Sequence, residues 1–197
     1  MNDDYSQAGQ DEFVLNLLKD DKQHYFFDVG CWLPKRLNNT LLLEENGWGG
    51  ISLDITDLTS EWKTRTSKFL TTNALTCNYQ EIFDEYSSPK IIDYLSLDIE
   101  GNGERFLALK KVFESDREFK IITIEHDSYR GYELTEAKPQ REFLLERGYI
   151  LLCSNVKLSG NPFEDWWINP NFFGEDEYIH LQSDNVEYIE ILKKFKI

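Results

Sequence analysis

The sequence predicts an α/β fold built on a doubly wound, mostly parallel β-sheet flanked by helices, and three observations carry that expectation. Short apolar runs rich in β-branched and aromatic residues recur along the 197-residue chain. None of them alternates cleanly between apolar and polar, as strands covered on both faces need not, and the intervals between them leave room for helical crossovers. Right-handed crossovers then leave few topologies. The length suits one domain over residues 1–197, enough to bury most of its apolar surface in a core.

The runs fall at residues 25–30 (YFFDVG), 50–55 (GISLDI), 68–75 (KFLTTNAL), 91–100 (IIDYLSLDIE), 119–127 (FKIITIEHD) and 149–158 (YILLCSNVKL). A first helix is expected before them, since DEFVLNLLKD has helical apolar spacing. Asn39-Thr40 is placed to cap LLLEENG, which stops at Gly47. Asn78 is placed to cap a helix that ends before Pro89, Asn102 opens NGERFLALKKVF, and residues 137–147 carry apolar spacing of three and four before Gly148. Residues 159–173 (SGNPFEDWWINPNFF), rich in proline, asparagine and aromatics, read as an ordered loop, and residues 177–197 as a closing strand and a terminal helix.

Composition narrows the function classes. Lys plus Arg number 21 against 36 Asp plus Glu, a net charge of −15, and such a field repels phosphate backbones, so nucleic acid is disfavoured as a partner and a small-molecule or glycan acceptor is favoured. No apolar run approaches the ~20 residues that cross a bilayer, and the opening MNDDYSQAGQDE is acidic where an export signal is basic and then apolar. Cys31, Cys77 and Cys153 are odd in number and contain no CxxC pair, which suits reduced thiols, a cytoplasmic setting and no structural metal.

The acids are the most informative feature. Asp28 closes the first expected strand, Asp54 the second, Asp98 and Glu100 the fourth, and Glu125 with Asp127 the fifth, so carboxylates collect where open α/β sheets bind ligands. After the first strand comes Asp28-Val29-Gly30-Cys31-Trp32, with one glycine where a dinucleotide fingerprint has GxGxxG. A polyphosphate cofactor is poorly served by that rim. S-adenosyl-L-methionine, which has no phosphate, carries a sulfonium and an ammonium and presents a ribose diol, matches it, with Asp54 accepting hydrogen bonds from the diol. Lys35 and Arg36 stand at the next turn and suit an anionic group, the methionine carboxylate among them.

These residues resemble the FkbM-type methyltransferases. Ser6-Gln7-Ala8-Gly9-Gln10-Asp11 resembles that family's opening SQxGQD, Phe27-Asp28-Val29-Gly30 its first cofactor motif, Asn39-Thr40 through Glu44 and Gly47-Trp48-Gly49-Gly50 its NT-x-x-LE and GWxG elements, and Leu97-Asp98-Ile99-Glu100-Gly101 its D-[VI]-E-G. The resemblance implies a Rossmann-like class I methyltransferase fold, S-adenosylmethionine as donor, and O-methylation of a hydroxyl on a sugar or other small molecule. It also implies that Gln7, Gln10 and Asp11 fold over the cofactor, and it brings Asn39 and Ile55 into the cofactor set. Two departures stand out: Trp32-Leu33-Pro34-Lys35 where the family often has a second glycine, and Asp54-Ile55 where it often has Glu-Pro.

The cofactor set is therefore Gln10, Asp28, Gly30, Asn39, Asp54, Ile55, Asn73, Ala74 and Asp98. Asp28 and Gly30 are assigned to the methionine end, and Asn73 with Ala74 to the adenine, Asn73 reading equally well as a turn residue. Methyl transfer needs the acceptor in line with the methyl–sulfur bond and a group to take its proton. His126, flanked by Glu125 and Asp127, is the first candidate base and Asp98 the second. A divalent cation held by Asp98, Glu100, Glu125 and Asp127 is a less favoured route to the same end. Trp166 and Trp167 serve either as a sugar-stacking platform or as a plug on the sheet edge. Trp62 and Arg65 are placed to brace Asp54 or the adenine pocket. The rival to an enzyme is a module of the same fold that binds the cofactor or a partner without turnover.

Overall fold

The computed structural model describes residues 5–20 and 22–196, the acidic first four residues lying outside that range. Eight strands form one sheet: β1 (Tyr25–Val29), β2 (Gly49–Asp54), β3 (Lys68–Thr71), β4 (Ile91–Leu97), β5 (Glu118–Glu125), β6 (Ile150–Leu158), β7 (Asn161–Ile168) and β8 (Ser183–Asp184). Their order is β3-β2-β1-β4-β5-β7-β6-β8. The first five strands pair in parallel, while β7 runs antiparallel between β5 and β6. The strand order reverses between β1 and β4, and such a switch point leaves a crevice outside the carboxyl ends of the strands.

Adjacent residues on the central strands feed two cores. Phe26, Tyr94, Ile121 and Trp166 pack on one face with Phe13 and Val14 of α1 (Gln10–Leu17) and Ile191 and Leu192 of α7 (Tyr188–Lys193). Their neighbours Phe27, Leu95, Ile122 and Trp167 pack on the other with Phe83 of α3 (Tyr79–Glu85), Leu109 of α4 (Glu104–Val112) and Leu144 of α5 (Lys138–Leu145). A strand turns successive side chains to opposite faces, so burial on both sides requires the continuous apolar runs seen in the sequence. Two short helices complete the described chain, α2 (Leu41–Glu45) and α6 (Glu175–Tyr178).

The main correction concerns residues 159–173. They form the strand β7, not a loop, and Trp166 and Trp167 are fully buried in the middle of the sheet, so neither is a stacking platform nor a plug on the edge. Ser159 and Gly160 both take positive φ (54° and 86°), the two-residue turn that joins β6 to β7 as a hairpin. Glu164 and Asp165 interrupt the apolar run and mask the strand. The capping expectations fare unevenly. Asn78 does cap α3, its side chain accepting from the Glu81 N–H at 3.2 Å. At α4 the cap is Gly103 rather than Asn102, and the free N–H groups there are taken by the buried Glu136 carboxylate, which accepts from Gly103, Arg105 and Phe106. The Thr40 hydroxyl turns away from its helix to Asp28 and Asn38.

Candidate functional site

A cleft of about 820 Å³ opens at the carboxyl ends of β1, β2, β4 and β5, within the size range of small-molecule sites. In the strand order, its lining runs from Gly30, Asp54, Ile55, Asn73 and Ala74 on the β1–β3 side, here called the first lobe, past Asp98 after β4, to Glu125, Asp127, Tyr129, Arg130 and Phe163 on the β5–β7 side, the second lobe. Gly30 has φ +88°, and a Cβ on it would lie 2.0 Å from the Asp98 carbonyl oxygen, so only glycine lets the β1 turn lie against the end of β4. Asp54 accepts the Trp32 N–H at 3.0 Å on one oxygen and the Thr56 N–H at 2.8 Å on the other. Each oxygen keeps a lone pair for a further donor. Trp62 braces this turn by donating its indole N–H to the Trp32 carbonyl (2.8 Å), while Arg65 ties Pro34, Asn38, Thr40 and Glu44 together behind it.

The profile of the Methyltransferase FkbM domain family matches residues 34–151, more than half of the chain. The chain belongs to that family. It is accordingly an S-adenosylmethionine-dependent methyltransferase by family. Solved methyltransferases share its fold: an rRNA methylase from Streptococcus thermophilus is 13% identical, with 81% of this chain and 93% of that one covered and a TM-score of 0.50. The human methyltransferase 10 domain containing protein is also 13% identical, with 80% of this chain and 78% of that one covered and a TM-score of 0.54. A search of curated proteins found no match.

The FkbM domain's first lobe fits the donor that the family implies. The glycine-only approach at Gly30 puts the backbone of the β1 turn in the cleft wall, Asp54 has acceptor capacity for a diol, and Ile55, Ala74 and Leu75 give an apolar wall for a base. Trp32, at φ +44° and exposed, also lines the cleft in place of the family's second glycine. Lys35 and Arg36 face solvent and are not part of the wall.

Four residues expected at the site lie behind it instead. Asp28 is buried, accepts the Thr40 hydroxyl at 3.2 Å, and is pushed up to about 6, chiefly by burial. Asn39 is buried and donates to the Ser96 hydroxyl at 3.1 Å. Gln10 is buried in the opening segment, accepting from the Ala8 N–H and donating to Glu164 at 2.8 Å, while Gln7 alone of that motif reaches the cleft. His126 is wholly buried: the Ser128 N–H donates to its Nδ1 (3.1 Å) and its Nε2 lies 3.3 Å from the Asp165 carboxylate. A ring held on both nitrogens away from the cleft cannot reach an acceptor, which removes His126 as the base.

What the sequence reading missed about the acids is that Glu164 joins three of them in a row on one sheet face. Alternation sets Asp28 of β1, Glu125 of β5, Glu164 of β7 and Asp98 just past β4 on the side that carries Phe26, Tyr94, Ile121 and Trp166. Burial is the largest cause of a raised pKa at each, with Asp98 near 6 and Glu164 near 8. Arg105, on α4, is the buried cation beside them. Its guanidinium meets Glu125, lies 3.1 Å from Asp127 and donates to the Gly101 carbonyl at 2.8 Å. It occupies the space between Glu125 and Asp127, and among the described residues no group of three or more His, Cys, Asp or Glu is arranged to hold a metal ion. No helix among the described residues is long and apolar enough to cross a membrane. Arg105 was invisible as a site residue because its sequence context is an ordinary helix; its spacing from Gly101, one turn back, is the only signal.

Proposed function

We propose that this chain, acting as a single domain, transfers the methyl group of S-adenosylmethionine to a hydroxyl of a sugar or other small molecule, with Asp98 taking the proton. The position of Asp98 carries the reading: it is the carboxylate at the junction between the lobe that suits the donor and the lobe left for an acceptor. When bound, the cofactor supplies an electrophilic methyl group on a cationic sulfur. Asp54 would accept the ribose hydroxyls, Asn73 and Ala74 with Ile55 would flank the adenine, and Gly30 would leave room for the methionine end. Burial lifts Asp98 to about 6, so at neutral pH it is ionised yet more basic than a solvated aspartate. Tyr129, with the Arg130 guanidinium 5.3 Å over its ring, offers an aromatic face and hydrogen-bond donors at the acceptor lobe. The net charge of −15 and the acidic wall speak against RNA as the acceptor.

Labelled methyl transfer to a panel of sugar, lipid and peptide hydroxyls, with an RNA arm, tests the acceptor class. Calorimetry with S-adenosylmethionine and with NAD tests the donor. Transfer to RNA alone would overturn the acceptor, NAD binding alone would overturn the donor, and donor binding without transfer to any acceptor would favour a non-catalytic module.

A further inference from the structure

We propose that Asp98 and Glu125 act as a pair, the two carboxyl groups sharing one proton and receiving the acceptor's proton as a unit. This rests on the methyl-transfer reading above. Strands β4 and β5 pair in parallel with Leu97 opposite Ile124, so the next residues, Asp98 and Glu125, leave the sheet side by side. Both line the cleft, and their carboxyl groups are close enough to interact directly. Two carboxylates in such contact do not both ionise at neutral pH, because each disfavours the charge of the other.

The surroundings hold the proton in place. Facing the pair are Arg105 from α4, Asp127 after β5, Glu164 opposite Glu125 on β7, and Asp28 from β1, with Glu100, Glu104 and Arg130 at the rim. Arg105 contacts both Glu125 and Asp127, Arg130 lies 3.3 Å from Asp127, and Glu164 is met by the neutral side chains of Gln10, Trp166 and Thr123. Acids outnumber cations around the two carboxyl groups, and burial raises both. The pair therefore keeps one proton at neutral pH, shared between Glu125 and Asp98.

The arrangement makes methyl transfer balanced in charge. A lone pair of the acceptor oxygen forms the new bond to the methyl carbon, the carbon–sulfur bond breaks with its electrons going to sulfur, and the hydroxyl proton passes to the carboxyl pair. The pair goes from one proton and charge −1 to two protons and charge 0 as the sulfur loses its positive charge. The net charge of the cleft is the same before and after, which a poorly solvated site favours. A fully ionised pair would instead be left with unscreened repulsion, and Asp98 alone would lose the hydrogen bond that holds it toward the acceptor.

Carboxyl ¹³C NMR titration of the cofactor-free protein reads the sharing directly. At neutral pH the two signals together are expected to account for one proton, and Asp98→Asn is expected to lower the Glu125 midpoint by about one pH unit or more. An unmoved midpoint overturns the sharing. Glu125→Gln keeps the shape and the hydrogen bond but cannot exchange a proton; kcat is expected to fall on the order of 10²-fold with donor affinity retained. An unchanged kcat overturns the catalytic part. Thermal melts of both variants confirm folding, and if Glu125→Gln does not fold, Glu125→Asp serves, a changed acid limb in the pH–rate profile being expected and an unchanged one overturning the proposal. Failure of the wild-type protein to bind S-adenosylmethionine in calorimetry would sink the underlying reading separately, whatever the titration gives.

Discussion

Glu164 and Asp165 are neighbours on one strand, both buried, and their surroundings drive them in opposite directions. Glu164 turns to the face of α1, where it accepts from Gln10 and from the Trp166 indole at 2.8 Å each, and burial pushes it up to about 8. Asp165 turns to the face of α5, where Arg141 donates to it at 2.7 and 3.0 Å and His126 lies 3.3 Å away; burial pulls upward there too, but those partners together hold it below the ordinary aspartate range. A buried acid with cations of its own is a structural tie. A buried acid without them is a store of protons, and Glu164 is the second kind, in a row whose Asp98 and Glu125 line the cleft.

The comparison breaks most sharply at Asp98. Asp98→Asn should lower kcat by roughly 10²- to 10⁴-fold, as loss of a general base does, while leaving donor binding within about tenfold; single-turnover methyl transfer and calorimetry check both. If turnover survives, the acid-rich row is not the chemical half of the molecule. Asp165→Ala leaves the buried His126 and the half-buried Arg141 without their carboxylate and should cost about 3 kcal/mol of stability in urea unfolding, with kcat per folded molecule little changed. Asp54→Ala removes a charged acceptor for the ribose hydroxyls and should weaken donor affinity by about 10- to 100-fold, with kcat recovered at saturation.

The smallest effect is on stability against pH. Asp28 and Glu164 bind protons more tightly in the folded protein than in the unfolded chain, so between the ordinary carboxylate value and their raised ones the folded state holds protons that the unfolded state has released. Their contribution to stability is therefore lost as pH rises from about 4 to about 8, opposite in sign to that of Asp165, which is lost on acidification. The unfolding midpoint should fall between about pH 4 and pH 8, and Glu164→Gln should flatten the upper part of that slope.

The parallel half of the sheet was readable because its strands are buried on both faces and say so in continuous apolar runs. So were the residues of the donor lobe, since Gly30, Asp54, Ile55, Asn73, Ala74 and Asp98 all sit at or just past strand ends, where topology alone brings ligands. The antiparallel strand β7 was not readable, because its own acids break the apolar pattern and its pairing partners, β5 and β6, are set by the whole sheet rather than by local sequence. His126 misled for a related reason. Its neighbours Glu125 and Asp127 suggested an activated base, yet adjacent residues on a strand point to opposite sides, and the partner that holds His126, Asp165, lies on another strand. Asp28, Asn39 and Gln10 are buried behind the cleft wall, a depth that spacing in sequence does not encode.

The two indoles and the two acids of β7 are interleaved, and that gives the Ser159–Gly160 turn a weight out of proportion to its size. Slippage of the hairpin by a single position would trade Trp166 for Trp167 between the cores and, in the same movement, carry Glu164 toward Arg141 and Asp165 toward Gln10. Misalignment would thus damage packing and charge placement at once, so a chain with its proton store on the wrong side could not also be well folded.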